Sequence, residues 1–130
     1  MGLAISQLTT QNLMNVQSDC EYQLTLILNT LQRLANEEAA ITTEQMTASQ
    51  SYLAQFDKDS DAYDVAIEWV NGATFNARFN AKLAEIQAKE QQLDIQKQQI
   101  ETRQKMVSNQ RDGWEKNTTS STEKMFKYGN

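Results

Sequence analysis

The chain contains no histidine and no proline, and it has one cysteine and four glycines among its 130 residues. Without histidine there is no Ser-His-Asp triad, no imidazole general base, and no histidine-ligated zinc or haem. The lone Cys20 can form neither an internal disulfide nor a four-cysteine zinc site. A chain of this length carries roughly six prolines at average usage of about 5%, so their absence favours long uninterrupted helices. No apolar run approaches the length of about 18 residues that a transmembrane helix needs. The opening Met1-Gly2-Leu3-Ala4-Ile5-Ser6 lacks the basic and extended apolar regions of a cleaved signal peptide. It does fit the short myristoylation pattern, which a plain helix start also satisfies.

What is present is polar and helical in pattern. Hydrophobic residues make up 39% of the chain and charged residues 22%, so Gln, Asn, Thr and Ser supply much of the polarity. This composition suits helices with narrow apolar stripes rather than a thick core. The net charge of −5 is unevenly placed. Residues 1–56 carry one base and five acids, residues 57–72 one base and five acids, and residues 73–130 ten bases and seven acids. An acidic front facing a basic rear predicts that the two halves meet, within one chain or between neighbours.

Leu13, Val16 and Cys20 open a row that runs through Leu24, Ile27, Leu31, Leu34, Ile41, Ala48 and Tyr52. Steps of three and four residues place it on one helical face. Glu38 and Gln45 interrupt it, while Leu26 and Leu28 add apolar surface on a second face. In the rear half Ile86, Leu93, Ile100, Val107 and Trp114 follow one another at intervals of seven. Their companion row, Leu83, Glu90, Lys97, Gln104 and Arg111, turns polar after its first member, so one apolar column of the heptad is kept and the other is not. The two patterns predict an all-α, elongated antiparallel two-helix hairpin of coiled-coil character, forming a single domain over 1–130. Helix one spans about 3–56, an acidic turn 57–61, and helix two about 61–111. Asn71-Gly72 marks a kink or a split of the second helix near its start, and Asp112-Gly113 a break before a C-terminal segment, 112–130, that has room for a short extra helix. Asp59, Ser60 or Asp61 can cap the second helix.

The stretch from Asp57 to Glu68 resembles the calcium loop of the EF-hand family. Asp57, Asp59 and Asp61 fall on its first, third and fifth positions, the Tyr63 carbonyl on its seventh and Glu68 on its twelfth. That resemblance implies a hard cation ringed by oxygens. Ala62 stands where the loop turns on glycine, and Asp64 where the family has an apolar residue. The plainer reading is an acidic interhelical turn capping helix two. Trp69-Val70-Asn71-Gly72 is similar to the Trp-x-Gly turn of small secreted helical-hairpin proteins, with one extra residue in the spacing; a core aromatic beside a turn accounts for it equally.

The chemistry available for catalysis reduces to carboxylates, Lys and Tyr, with no pair marked out by spacing, and no cofactor other than calcium is implied. Cys20 lies on the apolar row, where a buried structural role is expected. Asn117-Thr118-Thr119 fits the glycosylation sequon. Interleaved acids make the basic rear a solvated face rather than a nucleic-acid site. The chain as a whole, with Ile5-Ser6-Gln7-Leu8-Thr9-Thr10-Gln11-Asn12-Leu13 at its start, resembles the small helical-hairpin axial proteins of flagellar and type III secretion systems. That resemblance implies a non-enzymatic structural subunit that self-assembles, cytoplasmic or exported without a cleaved signal. The expected interface residues are Leu24, Ile27, Leu31, Leu34, Ile41, Ile86, Leu93, Ile100, Val107 and Trp114, and the expected partner is a second copy. The alternatives are a soluble adaptor or chaperone binding a partner helix, and a calcium-responsive helix pair.

Overall fold

The computed structural model describes the backbone of residues 2–128 and the side chains of residues 9–116. It is an all-α helical hairpin of three helices: α1 (Gly2–Leu53), α2 (Asp61–Val70) and α3 (Ala73–Tyr128). Among the described residues there is no strand. Helix one therefore ends three residues earlier than the spacing predicts. The chain leaves it through tighter turns, with Gln55 N donating to Tyr52 O and Phe56 N to Leu53 O.

The turn itself is built from local capping. Ser60 is the N-cap of α2, in extended backbone, and its hydroxyl accepts from Tyr63 N at 3.2 Å. The same hydroxyl donates to Asp57 O at 2.6 Å, which closes the preceding turn. Asp61 and Asp64 lie in the first turn of α2, where the helix dipole favours acids.

The second helical stretch is not one kinked helix but two. α2 stops at Val70 and α3 begins at Ala73. Asn71 caps α2, its N–H bonding back to Ile67 O, and Gly72 N donates to Trp69 O at 3.0 Å. A Cβ at Gly72 would stand 3.2 Å from Trp69 O and 3.3 Å from Glu68 O. Close backbone approach, rather than a left-handed conformation, therefore selects glycine there. Asn76 then braces the junction: its Nδ2 donates to Val70 O and to Gly72 O, both at 2.9 Å.

The break expected at Asp112-Gly113 does not occur, and no separate C-terminal helix follows, because α3 continues to Tyr128. A helical glycine costs about 1 kcal/mol. Val107, Arg111 and Trp114 keep the seam spacing across Gly113 and are all at least half-buried, which favours continuing the helix.

Two compact units make up the hairpin. The central unit is Asn29–Leu93, and the terminal unit joins Met1–Leu28 to Asp94–Asn130. In the central unit Leu34, Ala66, Val70, Phe79 and Ile86 are buried, with Phe79 at 0% exposure. An aromatic chain runs beside them, from Phe56 to Tyr52 (5.3 Å between centroids), to Phe75 (6.2 Å) and on to Phe79 (6.2 Å), with Trp69 edge-on to Phe75. Arg78 places its guanidinium 4.6 Å from the centre of the Phe79 ring, a favourable cation–π contact. In the terminal unit the buried hydrophobic residues are Cys20, Ile27 and Val107.

Candidate assembly surface

Each helix of the hairpin carries a regular seam. On α1, residues 13, 17, 20, 24, 27, 31, 34, 38, 41, 45, 48 and 52 are all buried or half-buried. On α3 the same holds for 76, 79, 83, 86, 90, 93, 97, 100, 104, 107, 111 and 114. The expected interface residues Leu24, Ile27, Leu31, Leu34, Ile41, Ile86, Leu93, Ile100, Val107 and Trp114 all lie on these rows. They close the hairpin and present no free face.

The companion row of α3, polar in sequence, is turned into the seam as well. The structure accommodates it in two ways. In the terminal unit the Arg111 Nη1 donates to Gln17 Oε1 at 2.6 Å, spanning the two helices. In the central unit Gln45 Nε2 donates to Asn76 Oδ1 at 2.6 Å. The seam cations also lean outward onto carboxylates one turn later: Lys97 Nζ lies 3.8 Å from Glu101, and Arg111 Nε lies 3.7 Å from Glu115. Their stems fill the seam while their charge reaches its edge. Arg111 Nε is buried without a hydrogen bond, which marks this layer as costly and specific rather than simply stabilising.

The acidic segment does not form a cation loop. Asp61, Tyr63 and Glu68 are residues of α2, whose regular turns hold the backbone straight where the EF-hand pattern requires it to wrap. Asp57 and Asp59 lie before the helix and are spent on turn formation, Asp57 Oδ1 facing Asp59 N at 3.5 Å. Among the described residues no group of three or more acidic, cysteine or histidine side chains is placed to hold a metal ion. Position six, Ala62, has no positive φ, so the sharp turn of the family is absent. Trp69 stands beside the Asn71-Gly72 turn, in contact with Phe75 but partly exposed. The sequon at Asn117 and the start before Thr9 fall outside the described side chains.

A shallow hollow of about 340 Å³ in the central unit is lined by Thr42, Gln45, Met46, Ser49, Val70, Asn71 and Asn76. None of these is charged, and the amides of Gln45 and Asn76 are occupied with each other.

A further apolar surface, to which the sequence already assigns Leu26, lies away from the seam. In the terminal unit Tyr22 (66% exposed) and Leu26 (47%) stand one turn apart on the outer face of α1. Ile95 and Met106, each 57% exposed, share the outer face of α3. Between and beyond them the outward positions 99, 102, 109 and 113 hold Gln, Thr, Asn and Gly, so the strip from Ile95 to Gly113 carries no charge. Tyr22 and Leu26 at an interval of four were a legible signal; Ile95 and Met106, eleven residues and about three turns apart, were not, because polar residues separate them.

No family model, no curated protein and no solved structure matches this chain. Among the described residues no helix is long and apolar enough to cross a membrane.

Proposed function

We propose that the chain is a non-enzymatic structural subunit that self-assembles through helix–helix packing, in the manner of a filament or secretion-apparatus component. The observation that carries this reading is the set of large apolar side chains left outside a completed seam: Tyr22, Leu26, Ile95 and Met106 are about half or more exposed. Single exposed apolar residues are ordinary. Here they recur at helical spacing on the outer faces of both helices of one unit, with amides and hydroxyls between them and charged residues at their borders, the makeup of an apolar patch with a polar rim. Molar mass by light scattering, followed from dilute to concentrated protein with negative-stain imaging, tests the reading. Mass rising with concentration and elongated particles are expected. A 14.8 kDa monomer at every concentration contradicts it.

The adaptor reading is favoured by a different patch. Val65 and Trp69 are exposed one turn apart on α2, a spacing suited to the apolar face of a partner helix. A persistent monomer would leave this as the better account.

A further inference from the structure

Within the terminal unit, the two helices contribute opposite charge. Residues 1–28 carry Asp19 and Glu21 and no base, whereas residues 94–130 carry seven bases and five acids. The unit as a whole is neutral, with seven of each. The imbalance also bears on the outer faces. Asp19 stands one turn before Tyr22 and close to the line through Tyr22 and Leu26. Beside Met106 itself, Arg103 and Lys105 stand on the two sides of the uncharged strip, all three exposed, while Asp94 and Asp112 border the same strip toward its ends.

Gly113 adds an observation of its own. It sits inside α3, where glycine is unfavourable, yet a Cβ built there would meet nothing within 4 Å. Among the described residues no contact accounts for the missing side chain. It lies on the same outward strip as Ile95 and Met106, and glycine there lets another backbone come close.

From these observations we infer that the outer face of α1 in one copy, centred on Tyr22 and Leu26, docks on the outer face of α3 in a second copy, centred on Ile95 and Met106. The second copy is the occupant that fits because the chain supplies both members of the match: an apolar pair with an acidic border, and an apolar strip with a basic one beside Met106. Two different faces meeting make the contact heterologous, so the docked pair keeps one face of each kind free, the α3 face of one copy and the α1 face of the other. Such a contact continues into a ring or an open filament. The inference rests on the self-assembly reading and names the surface through which it operates.

The test uses two full-length variants at exposed sites, Leu26→Asp and Met106→Asp, with circular dichroism to show that each keeps its helical content. Each variant alone lacks one face and is expected to stay monomeric where the unmodified chain assembles, its association weakened about tenfold or more by an unpaired charge in the contact. Mixed in equal amounts, the two retain one intact pair of faces and are expected to form a complex of twice 14.8 kDa and no larger. If the unmodified chain assembles and both variants assemble equally well, the docking faces are wrong while self-assembly stands. If each variant alone still forms a dimer, each face pairs with itself and the heterologous match is overturned; if both variants and their mixture all stay monomeric, the two faces do not dock on each other and the match is likewise overturned. If the unmodified chain never leaves the monomer, the assembly reading falls with it.

Discussion

The central and terminal units are made from the same two long helices and the same seam spacing, yet they are stabilised differently. The central unit gathers five of the buried hydrophobic residues, adds α2 as a third packing element and fills its turn end with five linked aromatics. It also holds all of the net charge, ten acids against five bases. Among its described residues the terminal unit buries three hydrophobic side chains, Cys20, Ile27 and Val107; it crosses its seam with an Arg–Gln pair and is electrically neutral in sequence. A two-helix layer covers only one side of each helix. The third element lets the central unit bury side chains from more than one direction, although Met46, Val65 and Trp69 stay exposed there, while in the terminal unit Tyr22, Leu26, Ile95 and Met106 face out. Net charge of one sign opposes association and neutrality promotes it, so the contrast in charge points the same way as the contrast in packing.

The contrast can be broken most forcefully at Phe79. Truncation to alanine is expected to cost about 4 kcal/mol, transfer and cavity terms together, and to unfold the central unit first in a denaturant titration. Val107→Ala, the corresponding loss in the terminal unit, is expected to cost about 2 kcal/mol. Equal costs at the two sites would show that the units are packed alike. Next in size is Asn76→Ala. It removes hydrogen bonds to Val70 O and Gly72 O and the partner of Gln45, and about 2 kcal/mol is expected from the carbonyls and amide left unmatched. The smallest effects are the most discriminating, because they differ in sign. Gly72→Ala in the central unit forces a Cβ to 3.2 Å from Trp69 O and is expected to destabilise by about 1 kcal/mol. Gly113→Ala in the terminal unit meets nothing among the described residues and is expected to stabilise the monomer by about 1 kcal/mol while weakening association. A loss of monomer stability from both substitutions would remove the distinction drawn between the two glycines.

Much of the architecture was legible in the residues. The absence of proline and the 3–4 spacing of Leu24, Ile27, Leu31 and Leu34 point to α1, and Ile86 through Trp114 give the register of α3. Ser60 was one of three capping candidates, and only the geometry of its hydroxyl selects it. The split at Asn71-Gly72 was foreseen as a kink or a split, while its cause, the approach of Gly72 to the carbonyls of Glu68 and Trp69, is a three-dimensional fact with no sequence trace. Asp112-Gly113 misled because local propensity spoke for a break and the continuing seam through Trp114 outweighed it. The acidic run 57–68 offers two readings: its spacing suits a cation loop, while the same acids favour the start of a helix, and the plainer capping reading is the one that fits a helix beginning at Asp61. The polar companion row was read as lost from the seam. Its members turn inward because Lys97 is long enough to reach Glu101 at the edge of the seam and Arg111 long enough to bond Gln17 across it, and that depends on side-chain length rather than on polarity.

The most direct test of the contrast is amide hydrogen exchange on the unmodified chain at two protein concentrations, one dilute and one well into assembly. Residues 29–93 are expected to be strongly protected at both, since the central unit is complete by itself. Residues 9–28 and 94–116 are expected to exchange faster when dilute and to gain protection as concentration rises. Uniform protection along both long helices, unchanged by concentration, would contradict a self-sufficient central unit and a terminal unit completed by a second copy.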